Sequence, residues 1–251
     1  MRSSKPEIRI AADAEELTRA AAEEFVSGAE EAVRAKGFFA VVLSGGSTPK
    51  GLFALLATDS SFRARMPWDR IHFFWGDERH VPPDHPESNY RMAYEVMLSK
   101  VPVPSENVHR IIAENPDAEE AADDYERRLR EFFKLQGKQL PRFDLVLLGL
   151  GPDGHTASIF PGSDAAHDQG RIVVANWVAK LNAYRITLTL PALNNATCVL
   201  FLASGEEKAE ILRAVLQDKS RAERLPAQLI RPTNGRLLWL VDRAAARLVE
   251  L

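Results

Sequence analysis

The chain has 251 residues, 45% hydrophobic, 27% charged and 8% aromatic, values that exclude a disordered, collagen-like or disulfide-built protein. Its net charge of −3, from 32 Lys and Arg against 35 Asp and Glu, excludes a general nucleic-acid or membrane-surface binder, which carries a basic excess. One cysteine allows neither an internal disulfide nor a Cys-type zinc site, and with no apolar leader or run of about 20 apolar residues the expected setting is the cytoplasm.

In chain order, Asp13-Ala14-Glu15-Glu16 offers an acidic N-cap and predicts an Ala-rich helix to about Lys36, stopped by Gly37. Phe38 to Leu43 is short and almost wholly apolar, as a strand buried on both faces requires. Pro49 sits in the first turn of the next predicted helix, which runs to about Ala57. Ile71 to Trp75 predicts a strand, Ser88 caps a helix through Leu98, and Asp117 to Leu135 reads as a long helix with a charged outer face. Phe143 to Leu148 is another buried strand, followed by a glycine-rich loop. Later strands are expected at Ile172 to Val174, Arg185 to Leu190, Thr197 to Ala203 and Arg236 to Val241, with helices at Glu206 to Leu216 and about Ala222 to Ile230. This alternation predicts an α/β fold with a mainly parallel twisted sheet and helices on both faces, in one domain over residues 1–251. Ligands of such sheets bind beyond the carboxyl ends of the strands, so the loops that follow strands carry the functional argument.

Three of these loops have residues suited to chemistry. Ser44-Gly45-Gly46-Ser47-Thr48-Pro49 joins a buried strand to a helix; its glycines let backbone approach a ligand, and its hydroxyls and helix-terminal amides suit a phosphate. It lacks the Gly-Lys-Ser/Thr of a Walker A loop, and it also reads as a tight turn with a Ser/Thr cap. Gly76-Asp77-Glu78-Arg79-His80 places acids beside Arg79, a set that orients a sugar hydroxyl, pairs with phosphate, or is only a solvated charge cluster. His72, His80 and His85 match no zinc spacing and read as surface histidines, so no metal site is expected.

The sharpest loop is Gly149-Leu-Gly-Pro-Asp-Gly-His-Thr-Ala-Ser158. It contains G-x-G-x-x-G, but Pro152 and the nearby Pro161-Gly162 leave no room for the crossover helix of a dinucleotide site. What remains is Asp153 two residues before His155 at a strand end, a pairing in which a carboxylate orients an imidazole that moves protons. Arg185 opens a later strand, and Lys208 lies in a first helical turn, where a cation opposes the helix dipole unless an anion is near. Cys198 reads as core, and the absence of G-x-S-x-G leaves a serine-hydrolase mechanism without support.

Assembled in order, these blocks resemble the 6-phosphogluconolactonases of the glucosamine-6-phosphate isomerase/6-phosphogluconolactonase family. The resemblance rests on the Ser44–Pro49 loop, on Trp75-Gly-Asp-Glu-Arg79 with Ser88-Asn89, and on Gly149–Ser158 with Phe160-Pro161-Gly162. It continues through Arg185-Ile-Thr-Leu-Thr189, Gly205-Glu-Glu-Lys208 and Leu225-Pro226-Ala227, covering about Leu17 to Val241. It implies the glucosamine-6-phosphate deaminase-like fold and hydrolysis of a sugar-phosphate lactone without a cofactor, by a monomer or weak homo-oligomer. His155 is then the base that activates water, with Asp153 orienting it and loop amides near Gly151 to His155 as oxyanion donors. Gly45, Gly46, Ser47, Thr48, Asp77, Arg79, Arg185 and Lys208 are implied to bind the substrate.

The rival within the same fold is the deaminase, whose loop resembles D-G-H-I-A-F-N-E-P-G, with a glutamate five positions after the histidine. Here that position is Phe160, and the deaminase-like D-E-Y becomes Asp77-Glu78-Arg79. A non-catalytic sugar-phosphate sensor would add a helix-turn-helix module, for which no sequence is seen before the first predicted strand.

Overall fold

The computed structural model of the chain describes residues 6–218 and 224–250. Its strands are β1 (Glu7–Ala11), β2 (Phe39–Leu43), β3 (Ile71–Trp75), β4 (Asp77–Arg79), β5 (Val108–His109), β6 (Leu145–Gly149), β7 (Val173–Val178), β8 (Ala183–Leu188), β9 (Cys198–Ala203) and β10 (Arg236–Asp242). Its α-helices are α1 (Ala14–Lys36), α2 (Ser47–Thr58), α3 (Ser60–Arg65), α4 (Asn89–Val96), α5 (Ala118–Phe132), α6 (Leu190–Asn194), α7 (Ala209–Gln217) and α8 (Arg243–Ala246).

A seven-stranded sheet runs in the order β1-β10-β9-β6-β2-β3-β5. Every pairing in it is parallel. All residues of β2 are buried, so both faces of the sheet are covered there, as its unbroken apolar run requires. Across the β9–β10 ladder Phe201 and Trp239 are register partners whose rings stack 3.8 Å apart. Helix α1 behaves as its sequence predicts. The Asp13 side chain accepts from the Glu16 amide, and Gly37 closes the helix at φ 86°. Leu17, Ala21, Ala22, Phe25, Val26 and Ala29 form its buried stripe, and Phe25 packs edge-on against Phe39 of β2 at 5.5 Å.

The single sheet expected from the sequence needs correction at β7 and β8. These strands pair antiparallel with each other, and β8 pairs antiparallel with β4, in a separate sheet ordered β4-β8-β7. Only Ala179 to Asn182 lie between β7 and β8, too few for the crossover of a dozen or more residues that parallel strands need. Asn182, at φ 48°, makes the turn instead. Short elements with no periodic signal were not predicted: β1, β4, β5, α3, α6 and α8. Edge strand β1 is half-exposed and offers no continuous apolar run. The expected helix at Ala222 to Ile230 begins among residues outside those described, and its remainder is a 3₁₀ turn at Pro226–Leu229. The expected helix at Glu206 to Leu216 opens as a 3₁₀ turn, Glu206–Lys208, before α7.

From β2 the chain moves outward to β3 and β5, whereas β6 lies toward β9 and β10. The order reverses between β2 and β6, and beyond their carboxyl ends lies the crevice where ligands of such sheets bind.

Candidate active site

At that crevice a cleft of ≈ 480 Å³ is bordered by the loops after β2, β3, β6 and β9 and by the β7–β8 turn. A larger depression of ≈ 770 Å³ lies against α5, but its arginines Arg127, Arg130 and Arg171 are paired with carboxylates, leaving no free guanidinium for a ligand.

The Gly149–Ser158 loop supplies the imidazole. His155 Nδ1 lies 2.5 Å from Asp153 Oδ1, which also accepts the His155 amide at 3.1 Å. A carboxylate only accepts, so Nδ1 carries the proton, and in the neutral form of the ring the lone pair is on Nε2. Lys180, from the β7–β8 turn, pairs with the other oxygen of Asp153. Burial pushes the Asp153 carboxyl up, but its bonds to Lys180 and His155 outweigh this and hold it down at about 2. The Phe160 ring lies 4.2 Å from the imidazole. Gly151 is required by close approach: a Cβ there would sit 2.0 Å from the His155 ring. Ala157 is held at φ 46°, a strained left-handed conformation in this loop.

Of the amides expected near Gly151 to His155 as oxyanion donors, three are engaged within their own loop. The Gly151 amide donates to His155 O, the Gly154 amide to Gly151 O and the His155 amide to Asp153, while Pro152 has none to give. The loop spends these donors on its own shape. The free amides lie opposite: those of Gly45, Gly46, Ser47 and Thr48 have no partner among the described residues, because α2 begins here and its first intrahelical acceptor, Gly46 O, serves Lys50. Ser44 Oγ, buried at the cleft, likewise has no partner.

The strand-end acids have distinct surroundings. Glu78 is buried and accepts from four donors: the Asn89 and Arg79 amides on Oε1, and Ser88 Oγ and the Tyr90 amide on Oε2. It ties β4 to the start of α4. Burial raises its carboxyl above the usual range, against the pull of these amides. Asp77 accepts from Ser158 Oγ at 2.6 Å and so links the β3 loop to the histidine loop. Trp75, at the end of β3, is fixed by the buried Tyr125 hydroxyl, which accepts from its amide and donates to its carbonyl.

Arg79 and Arg185 are register partners in the β4–β8 ladder and both border the cleft. Burial, and after it the Arg79 charge, lowers Arg185 from the ordinary arginine value. Arg79 donates to the Glu87 carbonyl. Neither arginine, nor Lys208, has an ion-pair partner among the described residues. All ten residues expected from the sequence thus meet around one crevice, although Asp153 stands behind His155.

Sequence reasoning missed Asn89, Lys180 and Ser158. Asn89 Nδ2 donates to Asp77 O, and its Oδ1 comes so near Gly45 that a Cβ there would be 2.0 Å away. Ser88-Asn89 was a visible block without an assigned contact, whereas Lys180, 27 residues from Asp153, carried no signal. Two of the three histidines read as surface, His72 and His80, also need correction. His72 is half-buried against Phe38, Phe132 and His109, with its Nδ1 3.1 Å from His109 Nε2. His80 Nε2 bonds Asn115 O at 2.6 Å. Cys198 is half-buried against the core, and burial pushes its thiol up to about 11.

Over residues 12–239 the sequence matches the family described as glucosamine-6-phosphate isomerases/6-phosphogluconolactonase. A 6-phosphogluconolactonase from Synechocystis sp. is 40% identical over 215 residues, 86% of either chain. The solved 6-phosphogluconolactonase of Trypanosoma cruzi superposes with a TM-score of 0.86 at 32% identity, covering 100% of this chain and 99% of that one. A monomeric glucosamine-6-phosphate deaminase superposes at 0.81 over 96% of this chain and 99% of its own, but at 20% identity that likeness shows the fold alone. With the family matched along most of its length, this chain belongs to the glucosamine-6-phosphate isomerase/6-phosphogluconolactonase family.

Proposed function

We propose that this chain hydrolyses 6-phospho-D-glucono-1,5-lactone to 6-phosphogluconate, the lactone-opening step of the oxidative pentose phosphate pathway, with His155 as general base. The lactonase activity is that of the relatives named above. The residue roles are read from geometry. Arg79, Arg185 and Lys208, cations without carboxylate partners among the described residues, hold the phosphate by charge. Neutral His155 takes a proton from water at Nε2 as the water oxygen bonds to C1. The resulting oxyanion is met by amides of Gly45 to Thr48, which are already free of internal partners. The C1–ring oxygen bond then breaks, and the imidazolium returns its proton to the departing oxygen. Asp153 keeps the ring in the correct tautomer throughout.

The observation that carries this reading over the deaminase is Phe160, a phenyl ring 4.2 Å from the imidazole where the deaminase-like loop has a glutamate. A ring cannot exchange a proton with an amino sugar. Within this reading the chain works as one domain in the cytoplasm, as a monomer or weak homo-oligomer. A coupled assay with freshly made 6-phosphogluconolactone, run beside glucosamine 6-phosphate with ammonia detection, tests it. Acid release from the lactone alone is expected. Ammonia release would overturn the reading in favour of the deaminase, and binding of either compound without turnover would favour a sensor.

A further inference from the structure

The Asp153 carboxylate is divided between two neighbours, an imidazole and an ammonium. Oδ1 faces His155, and Oδ2 pairs with Lys180, a residue from the β7–β8 turn. The Lys180 ammonium also lies 4.5 Å from the centroid of Phe160, the ring against His155. Lys180 therefore touches both neighbours of the imidazole while making no bond to the imidazole itself.

We propose that Lys180 is a positioning residue for lactone hydrolysis, which takes up the charge on the outer oxygen of Asp153 and braces Phe160 so that His155 stays uncharged and able to accept a proton. The inference rests on His155 being the base.

The physical conflict it resolves is simple. A carboxylate is needed to hold Nδ1–H, but an unshared carboxylate also stabilises the imidazolium and so withholds the free Nε2 that must take a proton from water. An ammonium on the far oxygen keeps the hydrogen bond and removes much of that stabilisation. Protonating Asp153 would not serve: it stays ionised down to about pH 2. The other charged groups bordering the cleft are Asp77, Arg79, Arg185 and Lys208, and none of them bonds Asp153.

The test replaces Lys180 by Met in the full chain, which keeps the stem beside Phe160 and deletes the charge. The imidazole proton resonances of His155 are titrated by NMR, and kcat and KM for fresh lactone are followed against pH. In Lys180→Met the His155 midpoint is expected to rise by about one pH unit, with the acid limb of kcat/KM moving by the same amount. The rate is expected to recover at higher pH and KM to change less than about twofold, since the substrate is held elsewhere. Lys180→Arg is expected to restore the midpoint. An unmoved midpoint in an active enzyme would overturn the inference alone. A large rise in KM with an unmoved midpoint would also overturn it, making Lys180 a ligand of the substrate. Absence of lactone turnover by the unaltered chain would instead overturn the lactonase reading.

Discussion

Arg79 stands directly opposite Arg185 across the antiparallel β4–β8 ladder, at the edge of the cleft and, among the described residues, without a carboxylate partner for either. Like charges in facing strand positions destabilise a ladder, and a bound anion relieves that cost. Inorganic phosphate is therefore expected to raise the Tm of the protein. Arg185→Met is expected to abolish that rise, leave the ligand-free Tm unchanged or higher, and raise KM for the phospholactone about tenfold or more, the effect of losing one charged hydrogen bond. Thermal unfolding with and without phosphate, beside steady-state kinetics, checks this. An undiminished phosphate effect would remove Arg185 from the anion site.

His155→Ala is expected to lower kcat by about 10²–10⁴-fold, the usual worth of one acid–base group, with little change in KM. Lys208→Ala should do the opposite, weakening capture while sparing kcat. Retention of near-normal kcat without the imidazole would end its assignment as base.

Gly151→Ala tests whether ring placement, separately from ring chemistry, matters. Gly151 is not among the residues with positive φ, so alanine suits its backbone, but the new methyl would lie 2.0 Å from the imidazole. The ring must then move. Turnover is expected to fall by at least tenfold, since an ångström of misplacement can cost about a hundredfold, while the far-UV spectrum remains native. Circular dichroism and kcat on one sample separate the two.

Glu78→Gln is expected to destabilise the protein by about 1–3 kcal/mol, because an amide group would face donors that now meet a carboxylate oxygen. Catalysis should fall with it, since the same carboxylate fixes the backbone of Arg79 and Asn89. Denaturant unfolding and kcat/KM measure the two losses, and an unchanged midpoint would contradict the four-donor arrangement.

Stability is expected to decline in mild acid through His72 and His109. Burial, then the neighbouring His72, lowers His109 to about 4, and burial lowers His72 as well. Both are held below the free value near 6.5, so the unfolded chain binds more protons as pH falls from there towards 4. The stability is fully present above pH 6.5 and is lost across that window. His109→Phe, which suits the stack on Phe74 at 4.5 Å, should flatten the Tm profile between pH 6.5 and 4. An equally steep profile in the variant would place the acid sensitivity elsewhere.

By itself the sequence determined the parallel core and singled out residues that border the crevice. Buried strands such as Phe39–Leu43 write their burial as unbroken apolar runs, and helix α1 writes its ends as Asp13 and Gly37. Asp153, His155, Arg79 and Lys208 were visible because loops that follow strands of an α/β sheet gather at one edge, so position along the chain already implies proximity. Only the tertiary structure decided the second sheet, the arginines facing each other, and the ammonium behind Asp153. Those depend on how strands pair over long sequence separations, and Lys180 reaches Asp153 only because a turn between β7 and β8 folds back over the cleft. Nor could spacing reveal which amides are engaged: the His155 loop uses those of Gly151, Gly154 and His155 in turning, while the first turn of α2 leaves those of Gly45 to Thr48 without partners among the described residues.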